Sequence, residues 1–183
     1  MDCSSQEEKE ERNKRTTEME IFNIPFDLRE IKGNITITTN TPSKPSKEQI
    51  ITQAFKCHSQ GNISEAAKHY QYFIDQGFND HRVFTNYGVI LNNLGKLQEA
   101  EISYRKAIQL KPDFADVHSN LGGILRDLGK LEEAELSTRK AIQLKPDFAD
   151  AYSNLGNILR DLGKLKEAEL STRKAIQLKP DFA

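Results

Sequence analysis

The nine residues from Lys106 to Phe114, KAIQLKPDF, return unchanged at 140–148 and 174–182, each copy 34 residues after the last. A phrase repeated at fixed spacing encodes one local structure several times, and each copy must meet its neighbour through the same surface. At that period Gly61, Gly95, Gly129 and Gly163 form one column, and Ala66, Ala100, Ala134 and Ala168 another. Four units result, at 47–80, 81–114, 115–148 and 149–182. The last two differ only at Val117/Ala151, His118/Tyr152, Gly123/Asn157 and Glu132/Lys166. The chain must therefore grow by stacking.

Within the third unit Leu121, Ile124, Leu125 and Leu128 follow the i, i+3, i+4, i+7 spacing that gathers apolar groups on one helical face. Gly129 follows at once, where a left-handed residue closes a helix. A second apolar pattern, Leu131, Ala134, Ala141 and Ile142, runs to Pro146, which cannot continue a helix and biases Lys145 away from helical angles. Asp147 is expected to cap the next first helix, with Asp150 in its electropositive first turn. Each unit thus reads as helix, turn, helix, turn. Gly88, Gly122 and Gly156 in the first helices and the alanine column in the second provide small surfaces for close approach.

Together these columns, quoted in full as AYSNLGNILRDLGKLKEAELSTRKAIQLKPDF, resemble the tetratricopeptide repeat over residues 47–182. The resemblance implies an all-α solenoid of four stacked helix-turn-helix repeats over 47–183. Tyr70 and Tyr104 keep the family's aromatic column, but Thr138 and Thr172 replace it, which predicts looser packing in the later units. Gln53, Gln76 and Phe78 mark the first unit as a variant end repeat.

Residues 1–46 are other material: a polar tail, read as largely disordered, with a mixed-charge run QEEKEERNKR behind the Ser5/Glu8 pair. Its apolar stretch IFNIPFDLREI is expected partly to cover the first repeat, with recruitment by a partner as the alternative. Ser46 and Gln49 form a capping box that opens the first helix. No secretory signal or membrane-length apolar run is evident, so a cytoplasmic location is expected and the sequons at Asn34 and Asn62 carry no meaning. A net charge of -1 without a basic stripe argues against nucleic acid and anionic membranes. Cys3 and Cys57 are read as free thiols.

Catalytic patterns are missing from the repeats. His58, His69, His81 and His118 lack metal-binding spacing, and LGGIL places Gly122 and Gly123 inside a helix instead of a phosphate loop. No enzyme activity, cofactor or metal is expected. Polar columns remain: Ser119, Asn120, Arg126 and Asp127 in the third unit, Ser153, Asn154, Asn157, Arg160 and Asp161 in the fourth. Stacking sets them side by side on the concave wall, where Asn86, Asn120 and Asn154 could each donate to and accept from a peptide backbone. AYSNLGN is similar to repeats of the O-linked N-acetylglucosamine transferase family and of related bacterial repeat proteins, and that resemblance implies an asparagine ladder holding extended polypeptide. The alternative is that these amides solvate a helix or bond a neighbouring unit. A clamp for carboxylate tails is disfavoured by Thr85, Ser119 and Ser153 beside the ladder and by the aspartates, with which Arg126 and Arg160 are expected to pair. The sequence thus points to a protein or peptide scaffold, with the recognition arm of a larger transferase as the runner-up. It further predicts that the fourth unit, whose outer face carries Ala168, Ala175 and Ile176, either frays open from that end or covers the face by end-to-end self-association.

Overall fold

A computed structural model describes residues 44–180. The expectations for the tail, including its disorder, its cover of the first repeat, Ser5/Glu8, Cys3 and Asn34, lie outside the described residues. Within them eight helices follow in order and no strand occurs. These are α1 (Lys47–Ser59) and α2 (Ile63–Asp75), α3 (His81–Asn93) and α4 (Leu97–Leu110), α5 (Ala115–Asp127) and α6 (Leu131–Leu144), α7 (Ala149–Asp161) and α8 (Leu165–Leu178). Each pair packs as an antiparallel hairpin against the next, giving the four-unit all-α solenoid that the columns predict.

Local chemistry sets the helix ends. Ser46 Oγ accepts from the Gln49 N–H at 3.2 Å while Gln49 Oε1 accepts from the Ser46 N–H at 2.7 Å, so the capping box forms. At the other end of a first helix, Gly129 adopts φ +75°, its N–H bonds Arg126 O, and the Lys130 N–H bonds Leu125 O. Those two bonds satisfy carbonyls the helix leaves open. The capping role expected of Asp147 is not found. The N-cap of α7 is Phe148, with no side-chain cap, because the Phe148 N–H turns back to Lys145 O and places Asp147 one residue outside the helix. Asp150 does occupy the first turn.

Packing follows the small columns. Leu121, Ile124 and Leu125 are buried against the second helices, with Ala134 and Ala141 fully enclosed. At Gly88 the Tyr104 ring fills the space a side chain would take. In the third unit Thr138 stands in that place, fully buried, its hydroxyl donating to Ala134 O at 2.8 Å. Its counterpart Thr172 is exposed. The first unit closes around Tyr70 and Phe73, and Phe78, where later units have proline, packs on Phe73 with ring centroids 5.4 Å apart. The first helices α5 and α7 also touch each other directly, whereas no pair of second helices does so to the same extent. In the third and fourth units the first helices therefore lie on the tighter, inner side of the stack.

Candidate functional site

On α5 the side chains facing away from the second helices are Asp116, Asn120, Gly123 and Asp127, one helical stripe at i, i+4, i+7, i+11. Asp116, Asn120 and Asp127 are exposed, and a Cβ built at Gly123 meets nothing within 4 Å. On α7 the same stripe is Asp150, Asn154, Asn157 and Asp161, and on α3 it is Arg82, Asn86, Val89 and Asn93. Together they make an inner wall that no described residue covers, acidic and amide-rich in its third and fourth units.

The asparagine ladder divides into unlike rungs. Asn154 Nδ2 donates to Ser119 Oγ across the unit boundary at 3.1 Å. Asn86 lies against the Tyr70 hydroxyl, which the His58 ring also reaches at 3.0 Å. Asn120 is exposed and makes no side-chain hydrogen bond to another described residue. Ser119 is buried in the seam as the acceptor for Asn154, so its place is between units and not on the wall. Ser153 is half-buried, and Asn157 borders a depression at the outer end of the fourth unit. Arg126 pairs with Asp127 at 3.0 Å and reaches Asp161 at 3.6 Å, and Arg160 stands 4.0 Å from Asp161. Both guanidiniums are thus occupied by aspartates, leaving the wall poorly suited to a carboxylate tail.

Sequence reasoning missed an ionic seam on the opposite, second-helix side. Glu101 receives Lys130 Nζ at 2.8 Å and Arg105 at 2.9 Å, while Arg105 also reaches Glu133 at 2.6 Å. One unit on, Glu135 takes Lys164 at 2.7 Å and Arg139 at 2.8 Å, and Arg139 bonds Glu167 at 2.9 Å. The signal is present in the sequence as charges repeating at i, i+4, i+29 and i+32, a spacing that becomes contact only when the units stack. The Lys130 ammonium holds the Glu101 carboxyl below its ordinary value, and the Lys164 ammonium does the same for Glu135. A depressed folded-state value means the seam's contribution is complete above the ordinary carboxyl pKa of 4.5 and is lost as the pH falls through the folded value. We expect melting temperature to drop steeply below pH 4.5 in the native chain. Glu101→Gln with Glu135→Gln should flatten that drop, at a cost near neutrality on the order of 1 kcal/mol per seam. Parallel acid profiles for the two proteins would show that the seam is not the titrating element.

Among the described residues no cluster of histidine, cysteine and carboxylates can hold a metal ion, and no helix is long and apolar enough to cross a membrane. His118 Nε2 lies 2.8 Å from Pro112 O, a structural contact that ties α5 to the turn before it, and Cys57 is a buried free thiol.

Two family models match the chain, one described as TPR repeat over 88–125 and 122–163, the other as tetratricopeptide repeat over 149–182. No curated protein matches it significantly. Solved structures do: MamA, at 21% identity and TM-score 0.68, with 74% of this chain and 80% of that chain covered. YrrB, described as a TPR protein with an unusual peptide-binding site, aligns at 20% identity and TM-score 0.69 over 74% and 70%. A MamA segment from Desulfovibrio magneticus RS-1 aligns at 22% identity and TM-score 0.67 over 73% and 76%. At such identities the likeness is one of fold. The family matches run together from 88 to 182, more than half of the chain, and the chain belongs to the tetratricopeptide-repeat family.

Proposed function

We propose that this chain is a non-enzymatic interaction scaffold that holds an extended peptide along the inner wall of its first helices. The observation that carries the reading is Asn120, exposed and without a side-chain partner among the described residues, beside the open space at Gly123. An amide there offers a donor and an acceptor to a peptide backbone whatever its side chains are. Asn154 keeps its oxygen and a second N–H available after bonding Ser119, so two adjacent rungs can act one unit apart. The peptide-binding site described for YrrB sits on a similar fold and supports the same use of this one. Asp116, Asp127, Asp150 and Asp161 favour a ligand with basic or neutral side chains over an acidic tail. A cytoplasmic location, and partners that are proteins and not nucleic acid, belong to the same reading. The transferase-arm alternative rests on sequence resemblance alone. We also infer a second mode of contact, association of copies through the fourth unit, on a different surface.

Asn120→Ala and Gly123→Tyr test the groove without disturbing the fold, because one removes an unbonded amide and the other fills empty space. Peptides enriched from a random library against the native chain should lose about tenfold or more in affinity for each variant, roughly 1.4 kcal/mol. Melting temperature should not fall. Enriched peptides that bind Gly123→Tyr as tightly as the native chain would place the binding surface elsewhere.

A further inference from the structure

On the outer side of the stack, two grooves of one design lie between successive second helices. The first runs between α2 and α4 over α3, with a volume of about 550 Å³, and the next between α4 and α6 over α5, with about 540 Å³. Corresponding positions line both: Ile74, Leu91, Ile102 and Lys106 in the first, and Ile108, Leu125, Leu136 and Lys140, each 34 residues on, in the second. Leu91 and Leu125 are buried floor, whereas Ile102 and Leu136 stand 69% and 71% exposed on the wall. The sequence writes the same set a third time as Ile142, Leu159, Leu170 and Lys174, and Leu170 is 64% exposed. Single exposed apolar residues are ordinary, but three large ones in one repeated column, two of them over apolar grooves, mark a contact surface.

Charge and spacing narrow what fits there. The carboxylates on the groove walls are paired within the chain, Glu99 with Lys96 at 3.2 Å and Glu133 with Arg105 at 2.6 Å. Lys106 and Lys140 meet no carboxylate among the described residues, and each donates to a glutamine one turn on, Gln109 at 3.0 Å and Gln143 at 3.1 Å. The charge left for an occupant is therefore positive. Packed helices stand about 8–10 Å apart, so grooves one unit apart recur at about 10 Å on the wider outer side. A strand repeats its face about every 6.8 Å and misses that interval at two residues and at four. A helix meets it, because seven residues advance about 10.5 Å and return almost to the same face. A flat lipid surface would touch Ile102 and Leu136 but not reach the recessed floors at Leu91 and Leu125.

We propose that the outer side binds an amphipathic helix of a partner protein laid across α4, with apolar side chains seven residues apart seated in the two grooves and acidic side chains turned toward Lys106 and Lys140. Helices held in grooves take their affinity from a few such anchors. This surface faces away from Asn120 and Gly123, so it is independent of what the inner wall holds, and one chain can engage both ligands together.

Selection from a displayed library of helical peptides about five turns long, against the full 183-residue chain, tests the proposal. Enriched peptides should carry apolar residues at i and i+7 with aspartate or glutamate along one flank. Ile102→Glu and Leu136→Glu change exposed side chains and should leave the melting temperature in place. Each should weaken those peptides by about tenfold or more, because each takes an anchor from one groove. Lys106→Glu with Lys140→Glu should do the same, and should gain affinity for peptides whose acidic flank is changed to lysine. Asn120→Ala and Gly123→Tyr should leave helix binding unchanged, so this proposal and the inner-wall reading can fail separately. Selection without the i, i+7 pattern, or peptides that bind every outer variant as tightly as the native chain, would overturn the proposal. A loss confined to one groove would overturn the placement across α4. Phosphatidylserine vesicles, or dimerisation seen in sedimentation, that depend on Ile102 and Leu136 where no helix is enriched would give the face to a membrane or to a second copy and overturn it too.

Discussion

Tyr104→Ala should destabilise the chain by about 3–5 kcal/mol, as truncations of large buried aromatics do. The ring is almost fully buried, and a Cβ at Gly88 would fall 2.7 Å from its Cε1, so α3 approaches α4 as closely as the ring allows. With the ring gone, Gly88 has no side chain to move into the gap, and a cavity remains. Repeat stability is close to a sum of unit and neighbour terms, so the loss falls on the second unit and its two interfaces. The first unit keeps its own centre around Tyr70 and Phe73. Urea unfolding of the variant, followed by circular dichroism and hydrogen exchange, should separate into two steps where the native chain shows one. A single step shifted by less than about 1 kcal/mol would mean that the hairpin collapses around the gap.

The same ring leaves a signature in alkali. Burial pushes the phenols of Tyr70 and Tyr104 up from 10.0 to about 12. A raised folded-state value means that their contribution is complete below pH 10 and is lost as the pH climbs through 12. Tyrosinate absorbance should therefore rise together with unfolding in this range. Tyr104→Ala should remove part of that coupling.

Single units were legible because their information is local. The i, i+3, i+4, i+7 pattern, a glycine just past it and a proline closing the unit each act within a few residues. That is why the eight helices and the left-handed turn at Gly129 fall where the columns put them. Contacts between units were less legible. Asn86, Asn120 and Asn154 share one column, yet one lies on a tyrosine, one is open and one bonds a neighbour's serine. The contacts one unit earlier also differ: Ser119 accepts from Asn154 at 3.1 Å, whereas Thr85, in the same place before Asn120, turns its hydroxyl to donate to His81 O at 2.7 Å. Identical columns therefore do not guarantee identical roles. Asp147 failed as a cap for a related reason, since the turn set by Pro146 decides which residue stands at the helix boundary, and composition alone does not count that turn.

Gly122 and Gly123, adjacent in one helix, should respond in opposite directions to the same substitution. Both lose backbone freedom in α5, and alanine is the better helix former by about 1 kcal/mol at either place. What surrounds them decides the sign. A Cβ at Gly122 would collide with Thr138 Oγ1 and lie 3.2 Å from Ala134 O. Thr138 is fully buried and its hydroxyl already bonds that same carbonyl, so it cannot turn away without breaking the bond. Overpacking of this kind costs about 1–3 kcal/mol, which outweighs the gain in helix propensity, and Gly122→Ala should come out net destabilised by up to about 2 kcal/mol. Gly123→Ala meets nothing within 4 Å and should gain stability by up to about 1 kcal/mol. Pairing Gly122→Ala with Thr138→Ala separates clash from propensity. Removing the hydroxyl takes away the colliding atom, and the alanine at 122 should then cost less than it does beside Thr138. If Gly122→Ala proves as stabilising as Gly123→Ala in denaturant unfolding, α5 and α6 are not held together as closely as the glycine column implies.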